Sequence, residues 1–473
     1  MDAKGANKSF ENVLFHLDFW LIAFSLVILK LPVLFGQRYN LLFYAPFLLP
    51  FLAAIFLRLV YLRISRLRIR LEGKLPLPLI LFWGFWLLAL ARTALSELSF
   101  DTFYIAGYVF SLFVLGGYTL LAYWTSSENN SRCSQLRRAM VFAFVIFIAS
   151  NLLFYFTGIA PKEDIYLAKY PVQMLSLLGI TMNRVLFAMS DGINNFGVLA
   201  GATFVTLVPL IWVKGKVHKT TIAILLLSCL IAMLLTDSRG AILFTLITLA
   251  IIKLPRGWFR FARWLPFILS ALPIFIMLVA PSVIAENTSW LNRPETDWGN
   301  DPVRAGLTSP CEDNVALANG SLSNRPVIWN IALRELGQPA MIHLIGYGYR
   351  GHVVSGMSEQ YACLFESFVK AKMASVHNIW LQSALSIGYV GLAASLLFLN
   401  VLMGWLDKLY IAMGDPVYRG LLATVIYIIC VGALEASISP DFYGHFVFLL
   451  FMTIIVIVDS AKHAELQPGM VNG

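Results

Sequence analysis

The sequence predicts an all-α polytopic membrane protein with about twelve transmembrane helices and one large polar loop on the outer side. Three observations carry that prediction. Of 473 residues, 59% are hydrophobic and only 13% are charged, about half the charged share of a soluble domain. Uncharged apolar runs of spanning length recur from one end of the chain to the other. Lysine and arginine gather in alternate connections between those runs.

Taken in order, a polar stretch at 1–16 precedes the first apolar run. That run is long and no small-residue cleavage site follows it, so no cleaved signal peptide is expected. The expected spans are 17–36, 41–60, 76–95, 102–124, 139–158, 193–213, 219–236, 240–252, 264–285, 376–404, 419–436 and 442–459. The eighth is short, which implies a tilted or half-inserted helix, or one longer than drawn. Nine helices thus occupy 17–285, a polar loop domain occupies 286–375, three helices occupy 376–459, and a tail occupies 460–473.

Orientation follows from the basic residues. Arg63, Arg66, Arg68, Arg70 and Lys74 share one side with Arg132, Arg137 and Arg138 if the spans alternate. Lys214, Lys216, Lys219, Lys253, Arg256, Arg260 and Arg263 join them. The opposite short connections hold little beyond Arg38, Lys162, Lys169, Arg184 and Arg239. The basic side is therefore expected to be cytoplasmic, with both termini, and 286–375 lies outside. The net charge of +9 comes from this bias and is no sign of a nucleic-acid partner.

Within the outer loop acids and bases nearly balance, which argues against a polyanion-binding surface. Cys311 and Cys363 are its two cysteines, and an oxidising compartment permits either a bridge or two free thiols. Cys133, Cys229 and Cys430 fall on the cytoplasmic side or within spans and read as reduced and structural.

Charged residues beside the membrane are the candidates for chemistry. Asp237 and Ser238 suit the N-cap of a helix starting near Gly240. Arg239 costs a few kcal/mol beside apolar helices unless it has a partner, either Asp237 or a ligand anion. The run from Ser323 to Gly337 reads as one amphipathic outer helix, with Asn324 or Arg325 ending the loop, Pro326 in the first turn and Trp329, Ala332, Leu333 and Leu336 on one face. Arg325 then sits at a helix N-terminus, where an anion is favoured and a lone cation is not. Ser375, Asn378, Gln382 and Ser386 share one face of the helix that re-enters the membrane, with His377 at its mouth. Gly388 and Gly391 allow close approach of a neighbouring helix. His377 either caps a bundle helix or takes a proton from a hydroxyl. Two arginines whose forks match phosphate oxygens, with one histidine base, fit transfer of a group from a lipid diphosphate to a hydroxyl.

At these residues the chain resembles the O-antigen ligase and O-antigen polymerase superfamily. Ser238-Arg239-Gly240 opens a transmembrane helix, and Arg325 is followed by Ile328-Trp329 and a helix leading to Gly346-Tyr347-Gly348. His377-Asn378 precedes Gly388 at the spacing of the ligase histidine motif. Asp191-Gly192-Ile193-Asn194-Asn195-Phe196-Gly197 looks like the asparagine-bearing start of a family helix. The resemblance spans about 190–400 together with the twelve-span layout.

It implies a C-type glycosyltransferase fold in the bacterial inner membrane, with the large loop periplasmic. It implies a metal-independent, inverting transfer with no cofactor, from a glycan on undecaprenyl diphosphate to another glycan or to lipid A core. His377 resembles the base, Arg239 and Arg325 resemble the diphosphate-binding arginines, and Asn378, Asp237, Asn194 and Asn195 stand as supporting residues. Tyr389-Val390-Gly391-Leu392 follows Gly388 where ligases often carry Thr, which favours polymerase over ligase.

Two rival readings rest on other residues. Glu295-Thr296-Asp297 would suit a metal-dependent transferase. Lys30, Arg92 and Glu97 are the charges a lipid-linked glycan transporter would use near the midplane. Glu435, near the outer end of the eleventh span, is read as a possible partner of an arginine with no catalytic part.

Overall fold

The computed structural model describes residues 3–34, 41–65, 77–96, 100–127, 129–159, 172–176, 179–190, 192–211, 219–254, 263–279, 325–361 and 375–466. Among them every regular element is an α-helix. The first six are α1 (Ala3–Ala23), α2 (Ser25–Leu34), α3 (Leu41–Ser65), α4 (Leu77–Ser96), α5 (Phe100–Thr125) and α6 (Asn130–Phe156). A short α7 (Gln173–Ser176) precedes α8 (Ile193–Ile211), α9 (Lys219–Leu235), α10 (Arg239–Lys253) and α11 (Leu265–Val279). Next come α12 (Arg325–Gly337) and three single turns, α13 (Ile342–Ile345), α14 (Gly351–Val354) and α15 (Met357–Tyr361). The chain closes with α16 (Ile379–Met413), α17 (Pro416–Val431) and α18 (Tyr443–Leu466).

A helix falls on each of the twelve expected spans. Seven are long and apolar enough to cross a membrane, or eight if the pair bent by 47° between α1 and α2 is one span. The apolar helices α9, α11 and α17 are shorter, at 17, 15 and 16 residues. The protein is thus an all-α polytopic membrane protein. Cys311, Cys363, Glu295, Asp297, Glu97, Lys169 and Asp191 lie outside the described residues.

Local sequence sets the helix ends. Asn129 caps α6 by accepting from the Ser131 and Arg132 amides. Asp415 caps α17 through the Val417 amide, with Pro416 in the first turn. Gly414, at φ 65°, terminates α16 in the left-handed conformation.

Small residues let the helices close on one another. A Cβ on Gly420 would lie 2.3 Å from the Thr206 carbonyl oxygen, so α17 and α8 touch backbone to backbone. Phe82 of α4 stacks on Phe398 of α16 at 3.9 Å, and Phe144 of α6 on Phe448 of α18 at 3.2 Å. At the end of the bundle away from His377, Arg137 of α6 bonds Asp459 of α18 at 3.3 Å and Asp415 at 3.0 Å. Arg58 of α3 pairs with the buried Asp18 of α1, which also accepts from Tyr118. These charges sit inside the bundle and are paired with opposite charges there.

At 35 residues, an unbroken α16 would rise about 52 Å, well beyond a hydrocarbon core of about 30 Å. It breaks at Gly388, where φ is 71° and ψ −179°. The break receives the chain after α13. Tyr347 and Gly348 donate their amides to the Leu385 and Ser386 carbonyls at 2.8 and 3.0 Å. A Cβ on Gly388 would lie 2.3 Å from the Leu344 oxygen. What Gly388 admits is therefore a backbone segment rather than the side of a spanning helix, and Gly346-Tyr347-Gly348 is the piece that fills the kink.

Candidate functional site

The site forms where the N-terminus of α16 meets the C-terminus of α17. Asn378 is the N-cap of α16, accepting from the Trp380 and Leu381 amides at 2.9 and 3.2 Å. Its amide donates to the Ala433 carbonyl at 3.2 Å, and the Ile379 amide donates to Gly432 at 2.8 Å. Gly432 permits this approach, since a Cβ there would lie 2.7 Å from that of Ile379. These bonds draw the connection after α17 alongside His377. Asn378 is thus a positioning residue, fully buried and occupied by backbone.

Glu435 lies in that connection, and it joins the two candidates from distant parts of the chain. Its Oε2 is 2.8 Å from His377 Nδ1, and its Oε1 accepts from Arg325 Nη2 at 2.7 Å. The Glu435 side chain is 5% exposed, whereas those of Arg325 and His377 are 24% and 25% exposed. The carboxylate is therefore at the base of the site, and Arg325 and His377 face out from it. Burial would push the Glu435 carboxyl up, but Arg325 and His377 more than offset this and hold it below the usual carboxylate range. An ionised carboxylate only accepts, so His377 Nδ1 must carry the proton in this pair. In a neutral ring Nε2 is then left with its lone pair, the arrangement a general base needs.

Arg325 opens α12, which buries Val327, Ile328, Trp329, Ile331, Ala332 and Leu336. Trp329 Nε1 donates to the Val376 carbonyl at 2.9 Å and ties α12 to the residue before His377. His377 itself holds a left-handed backbone, φ 52°, a conformation that costs a non-glycine residue about 1–3 kcal/mol.

Arg239 begins α10 with its side chain 60% exposed. A Cβ on the next residue, Gly240, would lie 3.2 Å from Leu434 Cδ1, so α10 starts beside the residue that precedes Glu435. Asp237 departs from its expected role. It is left-handed, with φ 49°, and buried, and its Oδ2 is 2.6 Å from Arg184 Nη2 but 3.9 Å from Arg239 Nε. Arg184 is its close partner, and Arg239 is directed outwards. Ser238 holds the N-cap position of α10 without a side-chain cap bond, and its hydroxyl instead meets Thr236 at 2.9 Å.

The start of α8 packs on this turn, because a Cβ on Gly197 would fall 2.0 Å from Ser238 Oγ. Asn195, two residues before Gly197, lines a small cavity with Lys30, Ser190, Tyr443 and His445. Neither Asn194 nor Asn195 bonds His377, Arg325 or Glu435. The polar stripe on α16 is likewise consumed internally. Gln382 accepts from the Val376 amide at 3.1 Å and reaches His352 Nδ1 at 3.0 Å and Ser386 Oγ at 3.2 Å.

Glu435 is the residue that sequence reasoning undervalued. A lone acid at the end of an apolar run is costly and implies a partner, which was the available signal. It finds two, 110 and 58 residues away in sequence.

Fold and site together define a polytopic helical membrane protein with a histidine–carboxylate–arginine cluster at one end of its bundle and a second arginine on the neighbouring helix turn. Residues 223–396 match the O-antigen ligase family, a segment that contains Arg239, Arg325, His377 and the Gly388 break but not Glu435. The match supports the O-antigen ligase and polymerase superfamily and a ligase- or polymerase-type function. No curated protein matches the chain.

Proposed function

We propose that this protein is an inner-membrane glycosyltransferase that moves a glycan from undecaprenyl diphosphate to a sugar hydroxyl at the periplasmic face, acting as a polymerase. The observation that carries the reading is the Glu435 carboxylate shared between His377 and Arg325. The acceptor hydroxyl attacks the anomeric carbon as the bond from that carbon to the diphosphate oxygen breaks, with inversion. His377 Nε2 takes the hydroxyl proton, and Glu435 stabilises the imidazolium through Nδ1–H. The leaving diphosphate departs with the bonding pair and is met by Arg239 and Arg325. Arginine-based charge stabilisation gives a transfer that needs no metal.

The family match is described as a ligase, and this favours a second reading in which lipid A core supplies the hydroxyl. Both readings share one test. His377→Ala should abolish transfer in a purified, reconstituted protein that is expressed and inserted like the wild type. Full activity of that variant sinks the proposal. Arg239→Lys and Arg325→Lys should recover little, because lysine lacks the planar fork. Activity should survive EDTA, and activity restored only by added magnesium or manganese would favour the acidic-motif rival.

A further inference from the structure

We propose that Glu335, Tyr347 and His343 form a latch that closes on a single proton and holds the C-terminal end of α12, and through it Arg325, against the broken helix α16. The three side chains make a hydrogen-bonded chain separate from the Glu435 cluster. His343 Nδ1 meets the Gln338 carbonyl at 2.8 Å, and its Nε2 meets the Tyr347 hydroxyl at 3.1 Å. That hydroxyl meets Glu335 Oε1 at 2.6 Å. His343 is buried, so water does not stand in for either of its ring partners.

The proton count fixes the state. A carbonyl only accepts, so Nδ1 carries a proton. The Tyr347 hydroxyl has one proton to give. Burial, the hydrogen bond to Glu335 and that residue's charge push the Tyr347 phenol up to about 12, so it keeps this proton near neutrality. If the hydroxyl donates to an ionised Glu335, Nε2 must donate to the phenol oxygen, and His343 is an imidazolium. If it donates to Nε2 instead, Glu335 must be protonated and donate to the phenol oxygen. Either way the three bonds coexist only with one proton more than a neutral imidazole and an ionised carboxylate hold. Without that proton two lone pairs face each other, at 3.1 or at 2.6 Å, and one contact opens. The complete set therefore belongs to low pH and loses a bond as pH rises.

Position gives the latch its consequence. Tyr347 lies in the segment that fills the Gly388 break, with its amide on the Leu385 carbonyl at 2.8 Å. Glu335 lies in the last turn of α12, and Gln338 follows that helix directly. Arg325 opens the same helix ten residues before Glu335, about 15 Å away along the axis. Tyr389 of α16 adds a tie that needs no extra proton, donating to the Leu336 carbonyl at 2.7 Å. Its ring lies 6.4 Å from that of His343. The other charged groups around the chain are Arg92 of α4, bonded to the Gly346 carbonyl, and the exposed Arg334 of α12.

The test is hydrogen exchange read by mass spectrometry on the full-length protein in lipid nanodiscs. It spans roughly pH 5.5 to 8.5, the range around an ordinary imidazole, with rates corrected for their intrinsic pH dependence. Amides at the C-terminal end of α12 should lose protection about three- to tenfold as pH rises, the loss of one hydrogen bond. Glu335→Gln should keep protection high at every pH. Its amide donates to the phenol oxygen as a protonated carboxyl would, which frees Tyr347 to donate to a neutral His343. Tyr347→Phe should keep protection low at every pH. Corrected exchange of wild-type α12 that ignores pH overturns the proposal. So does a Glu335→Gln protein looser than wild type at low pH, the result a plain carboxylate contact gives. The effect on Arg325 rests on the transferase reading: KM for the lipid-linked donor should rise with pH in wild type and stay flat in Glu335→Gln. A wild-type KM that ignores pH while exchange follows it overturns the link to Arg325. Exchange needs no activity, so failure of the transferase reading is separately visible as a fully active His377→Ala protein.

Discussion

At the residue scale, the Glu435 carboxylate joins His377 to Arg325, so in the proposed transfer it acts on the base and on the arginine together. Replacing it with Gln keeps the shape but removes the charge that orients Nδ1–H and balances Arg325. Glu435→Gln should therefore lower turnover by about a hundredfold or more, the usual range for losing an oriented general base. Apparent affinity for the donor should change less, since Arg239 does not touch Glu435. A variant with wild-type turnover would show the carboxylate to be structural only. Stability gives a second readout. The Glu435 carboxyl is held below its unfolded value, so its contribution is present above about pH 4.3 and is lost as pH falls through the lower folded value. The difference in Tm between wild type and Glu435→Gln should accordingly be constant at neutral pH and shrink in acid. The reason Arg239, Arg325 and His377 were legible in sequence is that a basic group at an apolar boundary demands an explanation. Their partners were not, because side-chain direction depends on backbone conformation. Asp237 stands two residues from Arg239, yet its left-handed backbone accompanies a buried carboxylate that meets Arg184 instead.

At the element scale, the break in α16 sets the register of the site. The half of α16 before Gly388 carries His377 at its mouth, and the half after it runs on to Met413. Gly388→Ala should be strongly destabilising, because its φ of 71° strains any side chain and the new Cβ would meet the Leu344 oxygen. Gly404 sits in the same helix with nothing within 4 Å of a Cβ there. Gly404→Ala should leave Tm unchanged or raise it, since alanine favours helix by about 0.5–1 kcal/mol. Tm measured in detergent for the two variants tests this directly, and equal behaviour would mean that the break is not under constraint. Composition and apolar run length were enough to locate the helices, including α16 and α17. The kink was not foreseen, since Gly388 and Gly391 carry the same spacing that a close helix crossing would use. Only the arrival of the 344–348 backbone distinguishes the two uses, and that contact is invisible to local pattern.

At the scale of the whole molecule, the question is which acceptor the bundle admits. In the proposed mechanism the arginines and the histidine serve either chemistry, and the two differ only in who brings the hydroxyl. A ligase must receive lipid A core, a bulky glycolipid with its own acyl chains. A polymerase must receive a second lipid-linked glycan. Tyr389, just after Gly388, donates its hydroxyl to the Leu336 carbonyl at 2.7 Å and so braces the end of α12. A deletion strain should then carry single repeats on its surface glycolipid or lose an exported polysaccharide altogether. If the deletion strain instead accumulates long chains on undecaprenyl diphosphate and leaves lipid A core bare, polymerisation is intact without this protein, and the ligase reading replaces the polymerase one.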